Sequence, residues 1–276
     1  IPVIYYILPT IWAWHKSRGN VIAEYTDLAV SLFPFEAEMY KEMGTNVVYG
    51  GHPLLDTVKP SMSKDEAYSF FGLQKEKKTV LFMPGSRVQE VQSLYGQMLA
   101  AGKLLQGKVE GLQFMVPKAS TIDRHMLEEA AREASLEVHI GEERVYDMMN
   151  IADAAICASG TATLETALMG VPTLLVYRVN ALTYWLSKIL VHLDSIGLPN
   201  IISGHRIMPE LWQDEVTPEN IEAAVLPWLV DAAASEEARH LMVGVRRQMG
   251  EAGAVRRTAE IISEFVKEKQ LHEAVQ

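Results

Sequence analysis

Short unbroken apolar runs alternate along this chain with longer stretches of mixed polarity. The runs at Pro2–Leu8, Leu28–Phe33, Asn46–Tyr49, Thr79–Met83, Leu112–Val116, Glu137–Ile140, Ala154–Cys157 and Pro172–Tyr177 read as strands. The first reads as buried on both faces, the habit of a parallel sheet. Between them, helical spacing marks Asn20–Thr26, Pro34–Met43, Lys64–Phe71, Glu90–Leu105, Thr121–Ala134, Arg144–Asn150 and the stretch after Thr161. Pro34 suits a first helical turn, and Gly44, Gly170 and Pro172 are stop signals. Helices Asn220–Asp231, Glu236–Gln248 and Val255–Lys267 close the chain, and the polar tail after them is expected to fray. The rhythm is that of a doubly wound α/β protein.

Between Leu54 and Lys78 the pattern changes, with Pro60, Ser61, Ser63 and the charged run Lys75–Lys78, and a domain boundary is expected there. The expected division is 1–56, a linker 57–78, a second domain 79–248, and a C-terminal helix 249–276 that could cross back to the first. Ile1 opens the chain inside an apolar run, so the front part of the first domain is expected to be absent.

Composition narrows the function classes. A chain of 276 residues with 49% hydrophobic and 22% charged residues has ample material for a core. A net charge of −10 argues against nucleic acid as the main partner and against purely electrostatic attachment to anionic lipid. The lone Cys157 permits no internal disulfide and no Cys/His metal cluster, and its apolar neighbours predict a buried, inert thiol.

Two stretches carry candidate chemistry. Ala158-Ser159-Gly160-Thr161 is a small-residue turn between a strand and a helix, and such a helix start presents unpaired N–H groups to an anion. One turn further on, Glu165 could accept hydrogen bonds from sugar hydroxyls; an ordinary capped helix with a solvated Glu is the plainer alternative. Thr79–Met83 runs into Pro84-Gly85-Ser86-Arg87, a second turn of this kind with an arginine fork suited to phosphate. Both would lie at one edge of a parallel sheet. Ile11-Trp12-Ala13-Trp14-His15-Lys16-Ser17-Arg18 suits either a ligand cleft or an aromatic corner. The apolar helix Leu182–Leu193, with Tyr184 and Trp185, suits a core or dimer helix, or a face for acyl chains.

Taken in order, Trp12-Ala13-Trp14, Phe33-Pro34-Phe35-Glu36, Gly51-His52-Pro53-Leu54, Pro84-Gly85-Ser86-Arg87, Ala158-Ser159-Gly160-Thr161-Ala162, Tyr177-Arg178 and Leu198-Pro199-Asn200 resemble the lipid-A-disaccharide synthases. The resemblance implies a GT-B fold of two Rossmann-like domains with parallel sheets, the first incomplete. It implies inverting transfer of 2,3-diacylglucosamine from its UDP derivative to 2,3-diacylglucosamine 1-phosphate (lipid X), without metal or other cofactor. It further implies a cytoplasmic enzyme, peripheral on the inner face of the inner membrane, and a homodimer.

Carried over by position, Gly85, Ser86 and Arg87 match the diphosphate-side loop, and Ser159, Gly160 and Thr161 the second nucleotide turn. Glu165 resembles the ribose-binding glutamate, and Ile140 lies near the strand end that receives uracil. Tyr177, Arg178 and Asn200 match cleft positions, with Arg87 and Arg178 as the cations for departing UDP. No residue matches the segment that carries the family's general base, so this chain alone is expected to be inactive. Rival readings are a UDP-N-acetylglucosamine 2-epimerase or other GT-B enzyme, and a non-catalytic UDP-binding module.

Overall fold

A computed structural model describes residues 1–11, 17–179 and 195–275, with side chains as far as Gln270. Trp12-Ala13-Trp14 and the helix expected at Leu182–Leu193 lie outside the described residues. The chain forms two compact units, one from Ile1–Thr57 with Arg246–Gln276, the other from residues 58–179 and 195–245.

The first unit holds β1 (Ile4–Tyr6), α1 (Arg18–Tyr25), β2 (Leu28–Ser31), α2 (Pro34–Glu42), β3 (Val47–Tyr49) and the single turn α3 (Leu54–Thr57). Its strands are parallel in the order β1-β2-β3. Central β2 is buried throughout. β1, expected to be buried on both faces, pairs among the described residues with β2 alone, and Tyr5 and Tyr6 are 39% and 37% exposed. An edge strand has a neighbour on one side only, so an apolar run alone does not tell centre from edge.

The second unit begins at residue 58. α4 (Lys64–Phe71) carries a Ser63/Glu66 capping box and ends at Gly72. Its Ala67 and Phe71 pack among Leu81, Met115 and Met148, so residues expected as linker fold with this unit. Asp147, 1% exposed, accepts the N–H groups of Ser61 (2.8 Å) and Met62 (3.1 Å) and the Ser61 hydroxyl (2.6 Å). A buried carboxylate with three donors is satisfied, and it pins the incoming segment.

Then follow β4 (Thr79–Met83), α5 (Val88–Gln106), β5 (Gln113–Pro117), α6 (Arg124–Glu133), β6 (His139–Gly141), α7 (Val145–Ile151), β7 (Ala154–Ala158), α8 (Thr161–Leu168) and β8 (Thr173–Tyr177). After residue 195 come α9 (Leu198–Ser203), β9 (Glu210–Trp212) and α10 (Pro218–Val230). The six strands are parallel in the order β6-β5-β4-β7-β8-β9. Counted from β4 this is 3-2-1-4-5-6, the doubly wound order, in which the winding direction reverses between β4 and β7. Phe82 and Phe114 stack at 5.2 Å in the core beneath α5, with Met98, Leu99 and Leu105. Burying one such phenylalanine contributes about 1.5–3 kcal/mol.

β9 has no counterpart among the strands expected from the sequence. Glu210 is 7% exposed, and its carboxylate accepts bonds from the Ser195 hydroxyl, the Ile196 and Gly197 N–H groups, Asn200 Nδ2 and Trp212 Nε1. A charge that reads as solvated is here the hub of a buried network.

α11 (Ala232–Gln248) leads back to the first unit, and α12 (Ala254–Val275) is helical to Val275, where fraying was expected. Asp56 accepts the N–H groups of Gly253 and Val255, and those bonds hold its carboxyl below its usual value. Arg246 donates to the Leu55 carbonyl and Tyr49 to that of Met249. Gly51 (φ +97°) faces the start of α12 so closely that a Cβ would stand 3.2 Å from the Ala254 Cα. Among the described residues, no helix is long and apolar enough to cross a membrane.

Candidate functional site

β4 feeds Pro84-Gly85-Ser86-Arg87, and α5 begins at Val88. Gly85 takes φ +112°, and a Cβ there would stand 2.5 Å from Glu90 Oε2. Glycine is therefore required twice, for the backbone and for the Glu90 carboxylate. That carboxylate accepts the N–H groups of Ser86 (3.2 Å) and Arg87 (3.3 Å) and the Arg87 Nη1 (2.7 Å). The turn was expected to present open N–H groups. In the structure the chain's own carboxylate fills them, because the third helical position lets Glu90 reach back.

The second turn is open. β7 ends at Ala158, Gly160 is the N-cap of α8, and no side chain caps that helix. Its amino end keeps the positive pole of the helix dipole available. Gly85, Ser86, Arg87 and Glu90 from the first turn, and Ser159, Gly160, Thr161 and Glu165 from the second, line one cavity of about 580 Å³. Lys118 beyond β5 and Glu142, Glu143 and Arg144 beyond β6 complete it. It thus lies past the carboxyl ends of the strands, at the reversal between β4 and β7, where open sheets of this order bind ligands.

Glu165 lines this cavity while partly buried. Burial raises its pKa above the usual carboxylate range, and a 2.9 Å bond from the Tyr146 hydroxyl to Oε1 opposes that rise. Cys157, at the end of β7, is fully buried with its thiol pKa pushed up by desolvation, the inert behaviour expected of it.

Tyr177 and Arg178 line a second cavity of about 900 Å³, which shares Arg87, Glu90, Ala158 and Ser159 with the first. Burial, and then the charge of Glu90, raises the Tyr177 pKa. The Arg178 guanidinium donates to the carbonyls of Val216 (2.9 Å), Gln213 (3.3 Å) and Ser93 (3.5 Å). Its fork thus braces the segment between β9 and α10 and leaves a positive charge at the cavity wall.

Two expected positions stand apart from the cavities. Ile140 is 7% exposed and belongs to the core; the residues just after it, Glu142 to Arg144, reach the cavity. Asn200 is 3% exposed and lines neither cavity. Its Nδ2 donates to the Met208 carbonyl (2.8 Å) and Glu210 (2.7 Å), and its Oδ1 accepts from Ile207 and Met208 (both 2.8 Å).

Sequence reasoning passed over Lys118, Arg144 and Tyr146. Arg144 holds φ +61° without being glycine, donates to Ser61 Oγ at 2.9 Å and lies 5.2 Å from the centre of the Phe70 ring. A residue in that backbone region beside a cavity is a recurrent mark of function, but no spacing rule announces it.

An open helix end, three cations, three hydroxyls and four carboxylates line this space; the helix end and the cations suit phosphate, and the carboxylates suit sugar hydroxyls. Among the described residues, no three His, Cys, Asp or Glu side chains are grouped to hold a metal ion.

Comparison with known proteins agrees with this chemistry. A family model described as lipid-A-disaccharide synthetase matches residues 1–265. The lipid-A-disaccharide synthase of Geobacter metallireducens is 40% identical over 270 residues, spanning 98% of this chain and 70% of that relative. Among solved structures, the UDP-GlcNAc 2-epimerase of Neisseria meningitidis bound to UDP-GlcNAc superposes with a TM-score of 0.63 at 14% identity, over 96% of this chain and 70% of that one. The MnaA–UDP structure from S. aureus gives 0.63 at 15%, over 90% and 63%. At such identities the likeness is one of fold.

Proposed function

The chain belongs to the lipid-A-disaccharide synthase family, glycosyltransferases of lipid A biosynthesis with the GT-B fold, and from that premise we propose how its second unit holds the donor. The cavity at the β4/β7 reversal takes the UDP moiety of UDP-2,3-diacylglucosamine. The diphosphate lies against the open amino end of α8, with Ser159, Gly160 and Thr161, and against Ser86 and Arg87. Glu165 accepts hydrogen bonds from ribose hydroxyls. Uracil lies toward the carboxyl ends of β5 and β6, and the second cavity, beside Tyr177 and Arg178, receives the donor sugar.

The reaction is an inverting displacement. The 6-hydroxyl of lipid X attacks the anomeric carbon, the bond from that carbon to the diphosphate oxygen breaks, and UDP leaves with the electron pair. The acceptor proton passes to a general base, a role no residue of this chain is assigned. Tetraacyl-disaccharide 1-phosphate and UDP are the products. Charge grows on the diphosphate as the bond breaks, so Arg87, Arg178 and the α8 dipole favour the transition state over the bound donor. Losing one such contact costs about 2.7–4 kcal/mol of barrier, by analogy with oxyanion-hole donors.

Both substrates carry acyl chains, which supports a peripheral enzyme on the inner face of the inner membrane; the family resemblance adds a homodimer. Vesicle flotation and sedimentation test these two points.

The observation that carries the reading is that two strand-to-helix turns, far apart in sequence, wall one cavity on adjacent strands. The test is calorimetric titration of UDP into the chain and into Arg87→Ala. Saturable binding, weakened about tenfold or more in the variant, is expected. A folded chain that takes up no UDP overturns the assignment.

A further inference from the structure

Tyr146 and Glu165 belong to helices that follow different strands, α7 after β6 and α8 after β7, yet their side chains meet. The Tyr146 hydroxyl donates to Oε1 of Glu165 at 2.9 Å, and among the described residues Oε2 accepts no hydrogen bond. The carboxylate lines the cavity, flanked there by Val145 and Arg144 from the start of α7. We infer that Tyr146 is a positioning residue, which holds the Glu165 carboxylate in the orientation that receives the vicinal hydroxyls of the nucleotide's ribose. This inference rests on the donor assignment given above.

This role has two parts, one conformational and one electrostatic. A glutamate side chain has three rotatable bonds, and fixing it costs free energy that is otherwise drawn from ligand binding. A donor already in place on one oxygen settles that cost before the ligand arrives, and leaves the other oxygen for the diol. Charge is the second part. Burial disfavours the ionised carboxyl, and the hydroxyl bond opposes it. A carboxylate accepts from two hydroxyls, whereas a neutral carboxyl turns one of its oxygens into a donor. The other charged groups around the cavity are Arg87, Lys118 and Arg144 with Glu90, Glu142 and Glu143, and the neutral Cys157 thiol lies behind Glu165.

The plainer alternative is a tie between two helices with no bearing on the ligand. Nucleotides that differ only in the diol separate the two. UDP and 2′,3′-dideoxy-UDP are titrated into the full chain, Tyr146→Phe, Glu165→Gln and the double variant, with thermal unfolding as the fold control. The expected result is that Tyr146→Phe weakens UDP about fivefold, in line with one hydrogen bond, and shifts the dideoxy nucleotide less than twofold. In the Glu165→Gln background the tyrosine change then has no further effect on UDP. Equal losses for both nucleotides, or none for either, would show a structural tie and overturn the inference. So would a wild-type chain that binds the two nucleotides equally, and that outcome leaves the diphosphate site standing. Failure of the wild-type chain to bind UDP at all removes the donor assignment itself.

Discussion

Arg87 and Glu90 are bonded twice, side chain to side chain at 2.7 Å and backbone N–H to carboxylate at 3.3 Å. A negative charge therefore sits at the turn proposed to face the donor's diphosphate. Glu90→Gln keeps an acceptor for the two N–H groups and removes the charge. UDP should bind about 1 kcal/mol more tightly at low salt, an advantage that shrinks as ionic strength rises. Glu90→Ala also removes the cap and should cost about 1 kcal/mol of stability. Calorimetry at two salt concentrations checks the first point and urea unfolding the second. Unchanged UDP affinity in Glu90→Gln would leave the residue as a cap alone.

Glu165 should set stability against binding. Its pKa is raised by burial, so the folded state prefers the neutral carboxyl. The stability it contributes is complete below the unfolded value and is lost as pH rises through the higher folded value. Glu165→Gln is neutral at every pH. It should melt above wild type at pH 7, match it near pH 4, and bind UDP more weakly. Melting curves at the two pH values decide the matter; a variant no more stable at pH 7 contradicts it.

His52 makes the opposite prediction at low pH. Burial lowers its pKa from 6.5 to about 4, and Nδ1 accepts the Leu54 N–H at 3.1 Å. The unfolded chain takes up a proton that the folded chain refuses, so stability should fall as pH drops from about 6.5 to about 4. His52→Asn, with an amide oxygen in place of Nδ1, should show a flatter profile in that window. Urea midpoints at pH 7 and pH 5 give the comparison, and parallel profiles for the two proteins would refute it.

Asn200 tests the difference between a site residue and a support. Its four hydrogen bonds are all internal. Asn200→Ala leaves buried partners unsatisfied and should cost about 2–3 kcal/mol. A large loss of UDP affinity with no loss of stability would restore it to the ligand.

What could be read from the sequence follows from range. β4, β7 and β8 are buried on both sides, so their unbroken apolar runs mark them without help from the rest of the chain. The Gly-Ser-Arg and Ser-Gly-Thr turns are local too, and the structure brings them to one cavity. β9 escaped because Glu210 looks solvated, and its five partners come from four other residues and Trp212 within the folded network. Tyr146 escaped for the same reason: its tie to Glu165 exists only after β6 and β7 take their places in the sheet. Arg178 was legible as a cation, whereas its three carbonyl partners were not.

β4 and β7 lie side by side, Val80 against Ala154 through Met83 against Cys157, although α5, β5, α6, β6 and α7 intervene along the chain. The two walls of the cavity proposed for the nucleotide therefore exist only once that long-range pairing has formed, a slow class of contact. A partly folded second unit with β4–β5 in place but β7 unpaired has half a site and no reason to hold UDP. On the proposed assignment nucleotide should act as a folding ligand: at one hundred times its dissociation constant it would add about 2.7 kcal/mol to the stability of the intact unit. It should protect the segment between β4 and β7 from proteolysis as one block, and a nick anywhere in the sheet's central pair should release ligand and fold together.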